Sequence, residues 1–229
     1  MIGENGLPAL VQRYLDRVVP DCEVAPRQVV LTQTGELRLK QDARWLRFTA
    51  TQETAVHEVG FSWRARVRVL PLVSVHVSDR HAAGEGSNEV RVIGRIPLMR
   101  ESGPYVSEGS ALRYLAELPW TPYAMAANHH LEWHALDAET VEVATQAETA
   151  RASLQLRFDA EPRIVDAWSE GRPHKEGGTF IRRRWGGVYS DYGVVGGIEI
   201  PKRAEVSWDL PEGRFPWFRC TITSLDVRT

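Results

Sequence analysis

The sequence predicts a mainly β protein: a single curved antiparallel sheet of roughly ten or eleven strands, a half-open barrel, with a helical lid over an apolar cavity. Three observations predict it. Val59, Phe61, Trp63, Ala65, Val67 and Val69 alternate with Gly60, Ser62, Arg64, Arg66 and Arg68, the period-two pattern of a strand buried on one face. Strand-like stretches then follow one another without a βαβ rhythm, which argues against a parallel α/β sheet. Between them lies a short aromatic helical segment, Arg113-Tyr-Leu-Ala-Glu117-Leu-Pro-Trp120-Thr-Pro-Tyr123, placed mid-chain where it can fold back over a concave sheet.

Along the chain, residues 7–19 read as an amphipathic helix with Leu10, Val11, Tyr14, Leu15 and Val18 on one face and Pro20 at its end. Strands follow over Val29–Leu39, Trp45–Gln52 and Val59–Val69. Val73, Val75 and Val77 continue the alternation, and Asp79 falls on the same apolar face unless a turn begins there. A turn at residues 82–87 leads into a strand from Asn88 to Ile96. The helical insertion occupies 107–125, with Ser107 or Ser110 as its cap, Leu112, Leu115 and Ala116 as its buried stripe, and Pro119 and Pro122 stopping or kinking it. Strands resume at 131–135, 141–145, 152–158, 164–168, 179–185, 198–210 and 215–227.

At 229 residues, 43% hydrophobic and 25% charged, the chain can bury a substantial core as one domain spanning 1–229. A net charge of −2 supplies no global attraction for phosphate backbones, so no nucleic acid partner is expected, and the basic runs at Arg64, Arg66, Arg68 and at Arg182-Arg183-Arg184 read as solvated faces. The start lacks a basic and apolar leader and no stretch reaches membrane-spanning length, so a cytoplasmic protein without membrane insertion is expected. Phosphate-loop, dinucleotide, nucleophile-elbow and His-Glu-x-x-His motifs are missing, and no cofactor is expected. Cys22 and Cys220 lack metal-site spacing; whether they pair is open, as is the oligomeric state.

The block Arg-Tyr-Leu-Ala-Glu-x-x-Trp-x-Pro at residues 113–122, with Trp185-Gly-Gly-Val-Tyr-Ser-Asp-Tyr192 and Ile200-Pro-Lys-Arg-Ala-Glu-Val-Ser-Trp208-Asp-Leu-Pro-Glu-Gly, resembles a bacterial family of unknown function over most of the chain. The family's pattern has a glycine in the turn near Asp159, where this chain has Asp159-Ala-Glu-Pro. The layout is also similar to that of lipoprotein carriers, which implies a curved sheet around an apolar cavity lidded by helices. The likeness is one of fold and implies no activity.

Candidate chemistry centres on the helical segment. Arg113, Glu117 and Trp120, at i, i+4 and i+7, form one helical stripe; they read either as a surface ion pair or as a polar rim over a pocket. Asp79 is a second carboxylate, with Arg80 or His81 near it. His130, Glu132 and His134 share one side of a strand, an arrangement able to present metal ligands, but Leu131, Trp133 and Ala135 are the natural inward set, so no metal is assigned. Tryptophans are numerous: Trp63, Trp120, Trp133, Trp168, Trp185, Trp208 and Trp217 all suit either a β core or an apolar pocket. The leading expectation is a hydrophobic or amphipathic small molecule bound beneath the 113–123 helix by Trp63, Trp120, Tyr123, Trp133, Tyr105 and Tyr192. The alternative is a hydrolase or isomerase acting on a small hydrophobic substrate, with Glu117 and Asp79 as acid and base groups and Arg113 stabilising negative charge.

Overall fold

The computed structural model describes residues 6–19, 25–71, 73–92, 96–147 and 150–229. Cys22 lies outside them, so its pairing with Cys220 cannot be followed. Helix α1 (Ala9–Val18) is followed by β1 (Gln28–Leu37), β2 (Leu46–Ala55), β3 (Phe61–Leu70), β4 (Val73–Ala82), β5 (Glu85–Val92) and β6 (Ile96–Ser102). A helical segment comes next: α2 (Pro104–Ala116), a 3-10 turn (Leu118–Trp120) and α3 (Pro122–Ala127). The chain then forms β7 (Glu132–Ala135), β8 (Thr140–Gln146), β9 (Arg151–Phe158), β10 (Ile164–Glu176), β11 (Thr179–Val195), β12 (Ile198–Leu210) and β13 (Gly213–Arg228).

All thirteen strands belong to one sheet in the order β6-β5-β4-β3-β2-β1-β13-β12-β11-β10-β9-β8-β7, and every pairing is antiparallel. The half-barrel fold is therefore as the sequence predicts, with more strands than the expected ten or eleven. The expected 88–96 strand resolves into two, β5 and β6. Pro97 lies in β6, where an edge strand tolerates a residue without an N–H. Strands β10 and β11 run much further than 164–168 and 179–185, because pairing with each other carries them through Gly171, Pro173 and three consecutive arginines. Asp159-Ala-Glu-Pro makes a turn closed by its own side chain: Asp159 Oδ1 accepts hydrogen bonds from the backbone N–H of Glu161 at 2.9 Å and of Arg163 at 2.8 Å.

Strand order dictates where the helices go. The chain meanders outward from β1 to one edge at β6, then must reach the opposite edge at β7 before meandering back to close β13 against β1. The segment joining the two edges crosses the sheet, and α2 touches β4, β5 and β6 on one arm and β8, β9, β10 and β11 on the other. Leu112, Leu115 and Ala116 are buried as expected, and so are Leu118 and Trp120. α1 buries the five residues its periodicity predicts and packs beside α3 and β12. Tyr14 of α1 meets Phe158 edge-on at 6.1 Å.

Two local expectations change. α2 starts at Pro104, not at a Ser107 or Ser110 cap, because Gly103 adopts φ 110° and Pro104 supplies a preset first-turn φ. Ser107 instead accepts from the Gly86 N–H at 3.0 Å and donates to the Gly103 carbonyl at 3.1 Å, tying the helix to β5. The helix also ends at Ala116, since Pro119 cannot continue the hydrogen-bond ladder.

α2 lies so close to β5 that Gly86 is required: a Cβ there would stand 2.6 Å from Ser110 Oγ and 2.7 Å from the Val106 carbonyl oxygen. Gly86→Val is expected to destabilise the protein by about 1–3 kcal/mol through overpacking, read as a lower urea midpoint; unchanged stability would contradict this seating.

Candidate functional site

Strand alternation carries a series of polar side chains onto the concave face. β2 turns Phe48, Ala50, Gln52 and Thr54 inward, β3 turns Phe61, Trp63, Ala65 and Val67 inward, and register pairs Phe61 with His81 and Trp63 with Asp79 on β4. Asp79 is thus inside an intact strand rather than at the start of a turn. α2 lowers Arg113 into this row. Its Nη1 donates to Asp79 Oδ2 at 2.6 Å, its Nε to Glu117 Oε1 at 2.8 Å and its Nη2 to Gln52 Oε1 at 3.3 Å. Gln52 Nε2 donates to Glu117 Oε2 at 2.6 Å and to Thr54 Oγ1 at 3.1 Å, closing the ring. Below, the guanidinium lies 4.9 Å from the Phe61 ring and 4.8 Å from the Trp63 ring. Trp63 Nε1 in turn donates to Gln33 Oε1 at 3.1 Å.

The sequence reading of Arg113 and Glu117 as a pair facing inward with Asp79 matches this geometry, and the surface ion pair does not. Side-chain exposure is 16% for Arg113, 13% for Asp79 and 10% for Glu117, so the cluster is largely removed from water. Burial works against the Arg113 charge, but Glu117 and Asp79 outweigh it and hold the guanidinium more firmly protonated than usual. For Glu117, burial raises the pKa by more than Arg113 and Gln52 lower it, and the Asp79 charge adds to the rise. Both Glu117 oxygens accept hydrogen bonds, as does Asp79 Oδ2, which makes this arrangement a clamp between helix and sheet. Proton transfer by Glu117 would have to break one of those bonds.

The other candidate residues separate. Trp120 leaves the expected stripe because the helix has ended: its Nε1 donates to the Pro201 carbonyl at 2.8 Å, and its ring meets Tyr189 at 6.2 Å. Tyr189 caps α2 through a bond from its hydroxyl to the Ala116 carbonyl. Tyr192 donates to the Ile164 carbonyl at 2.7 Å, and Tyr105, half exposed, stacks on Phe180 at 4.6 Å. Tyr123 and Trp133 line a different cleft of about 880 Å³, between α1, α3 and β7. Glu132 reaches Arg151 in solvent at 3.2 Å, and among the described residues no group of three His, Cys, Asp or Glu side chains converges to hold a metal ion. Beneath residues 113–120 the space is filled by the core.

Part of the same concave face is not covered by the helices. Inward residues Val75, Leu46, Leu37, Phe218 and Val206 remain partly exposed. Register places Val75 opposite Val67, Val67 opposite Phe48, Leu46 opposite Leu37, Leu37 opposite Phe218 and Phe218 opposite Val206, an apolar band across β4, β3, β2, β1, β13 and β12. Several buried polar atoms have no protein hydrogen-bond partner among the described residues, including Asp79 Oδ1, both ring nitrogens of His81, Gln33 Nε2 and Trp185 Nε1. Sequence reasoning missed Gln33 and Gln52. The signal was there, since each continues an inward apolar alternation, Val29-Leu31-Gln33 and Phe48-Ala50-Gln52.

The fold and its concave face define a class: curved antiparallel half-barrels crossed on the inside by helices. A crystal structure of a LolA superfamily protein from Nitrosomonas europaea shares it, with a TM-score of 0.52 and 10% sequence identity, covering 96% of this chain and 93% of that one. No curated protein matches the sequence. Within the class, residues 4–220 match the model of a family of unknown function, DUF6544, and the chain belongs to that family. Among the described residues no helix is long and apolar enough to cross a membrane.

The Arg113 cluster sets two expectations. Arg113→Met leaves Asp79 and Glu117 without their counter-charge in a poorly solvated place and is expected to cost about 3–5 kcal/mol of unfolding free energy. Because the Glu117 pKa is raised above its ordinary value of 4.5, the group favours folding fully below that value and loses its contribution as pH rises through the folded pKa. The melting temperature of the wild type minus that of Glu117→Gln is therefore expected to fall as pH rises from acid toward neutrality. A difference that grows with pH would contradict the raised pKa.

Proposed function

We propose that the protein binds a hydrophobic or amphipathic small molecule on the uncovered part of its concave face, with the 104–127 segment as a plug that closes the rest. The observation that carries this reading is the band from Val75 to Val206: inward-facing, apolar and partly exposed, on a face otherwise sealed by α2. Concave apolar surface bordered by a few polar groups is the usual form of a small-molecule site. Of the polar atoms without protein partners, Gln33 Nε2 belongs to the row beside Phe48 and Trp185 pairs with Trp208, two residues from Val206; buried groups of this kind cost about 1–3 kcal/mol each when left unbonded. A site that takes up a polar end of a ligand satisfies them. The engagement of Glu117 and Asp79 by Arg113 and Gln52 favours binding over acid–base catalysis by that pair.

The uncharged fluorophore N-phenylnaphthylamine should bind with enhanced emission, and native mass spectrometry of the purified protein should show an adduct of lipid-like mass. Val206→Arg, which puts a charge on the band, is expected to weaken fluorophore binding by about tenfold or more, equivalent to about 1.4 kcal/mol. Val194→Arg, at an exposed position off the band, serves as control. Equal binding by both variants would place the ligand elsewhere.

A further inference from the structure

The apolar band ends at Arg172, a cation with no salt-bridge partner among the described residues. Arg172 on β10 projects over two tryptophans: its guanidinium carbon is 4.0 Å from the centre of the Trp185 ring and 5.4 Å from that of Trp208. The two rings stand 6.3 Å apart, and His174 closes on Trp208 at 4.5 Å. Among the described residues no carboxylate lies within salt-bridge distance of Arg172, although its neighbours Arg182, Arg183 and Arg184 are all paired. On the helix side it faces Gly109, which has no side chain: an added Cβ there would stand 3.5 Å from Nε and 3.6 Å from Nη2. Burial lowers its pKa to about 10, with Arg113 pushing the same way and Asp79 and Glu117 partly opposing.

Beneath it, Trp185 is 4% exposed and its Nε1–H has no acceptor among the described residues. A partly buried guanidinium without an ion-pair partner thus stacks on an indole whose buried N–H has no acceptor among the described residues. Both are donors, and a buried N–H ordinarily does not go unsatisfied. Asp79 Oδ2 and both Glu117 oxygens face Arg113 and Gln52, leaving Asp79 Oδ1 as the carboxylate oxygen of this cluster without a partner among the described residues. Trp208, under Arg172, shares a face of β12 with Val206, two residues away, so a chain attached to an anion at Arg172 can run straight onto the band.

We infer that Arg172 and the Trp185 N–H form an anion site that takes the carboxylate or phosphate head of an amphipathic ligand whose apolar chain lies along Val206, Phe218 and Leu37. The inference rests on the binding function proposed above. It adds the charge of the ligand and its orientation. Guanidinium with carboxylate or phosphate forms the stronger, charge-assisted and bidentate class of hydrogen bond, and its planar face stays stacked on the indoles.

Laurate, monolauryl phosphate, lauryl alcohol and inorganic phosphate, titrated against the whole protein by calorimetry and tryptophan fluorescence, test it. Laurate or monolauryl phosphate is expected to bind about tenfold tighter than lauryl alcohol or better, with the tighter anion naming the head group. In Arg172→Gln that preference should fall to near one, and Arg172→Lys should restore part of it. A second measurement, independent of any variant's folding, uses only the wild type: excess inorganic phosphate should weaken laurate binding and leave lauryl alcohol binding alone. Equal affinity for laurate, monolauryl phosphate and lauryl alcohol in the wild type, or a preference that survives in folded Arg172→Gln, would overturn the anion site while keeping the apolar one. If neither the alcohol nor the anions bind, the binding function itself is wrong and the anion site falls with it.

Discussion

The seating of α2 depends on Arg113. One guanidinium joins a helix residue, Glu117, to Gln52 of β2 and Asp79 of β4, while resting on the rings of Phe61 and Trp63 from β3. Without it the helix would still bury Leu112, Leu115 and Ala116, but apolar contacts alone allow sliding. Charged hydrogen bonds with fixed geometry do not, and such groups are known to specify register at some cost in stability. The far side of α2 is held similarly, by Arg182 gripping buried Glu108 through bonds of 2.5 and 3.1 Å. α2 is thus tied to both arms of the sheet by charges and close-packed against one of them at Gly86.

That double attachment follows from topology. A sheet of thirteen strands has two edges and a concave face, and a chain that visits one edge and then the other must cross between them. Crossing on the inside buries the helix stripe and the inner strand residues against each other in one step. It also leaves part of the inner face uncovered. Beyond the crossing segment the inner residues Val75, Leu37, Phe218 and Val206 stay partly in solvent. The proposed site is therefore a by-product of the same geometry that builds the core, bounded on one side by the clamp and on another by the paired indoles of Trp185 and Trp208.

Much of this was legible in the chain. Strict alternation from Val59 to Val69 put Trp63 inward, as it is, whereas the sequence left Asp79 open between that same face and a turn, and only the intact β3–β4 pairing decides for the face. The spacing of Arg113 and Glu117 announced a pair, and it exists. Gln33 and Gln52 went unread because a glutamine in an alternating series is equally at home on a solvated face; only Trp63 Nε1 beside Gln33, and Arg113 and Glu117 opposite Gln52, give them partners. Trp120 was placed on the wrong stripe because helical spacing was continued past Pro119, where the backbone changes to a 3-10 turn.

The sequence by itself determined the local periods: where strand and helix patterns lie, apart from their bounds, and which face of each is apolar. Those follow from neighbours within a few residues, through side-chain direction and the missing N–H of proline. Only the tertiary structure decided which faces meet. The convergence of Asp79, Gln52, Arg113 and Glu117, the isolation of Arg172 over Trp185, and the stretch of inner face left uncovered all depend on strand pairings between residues far apart in the chain. Register across thirteen strands sets them, and no local pattern encodes it.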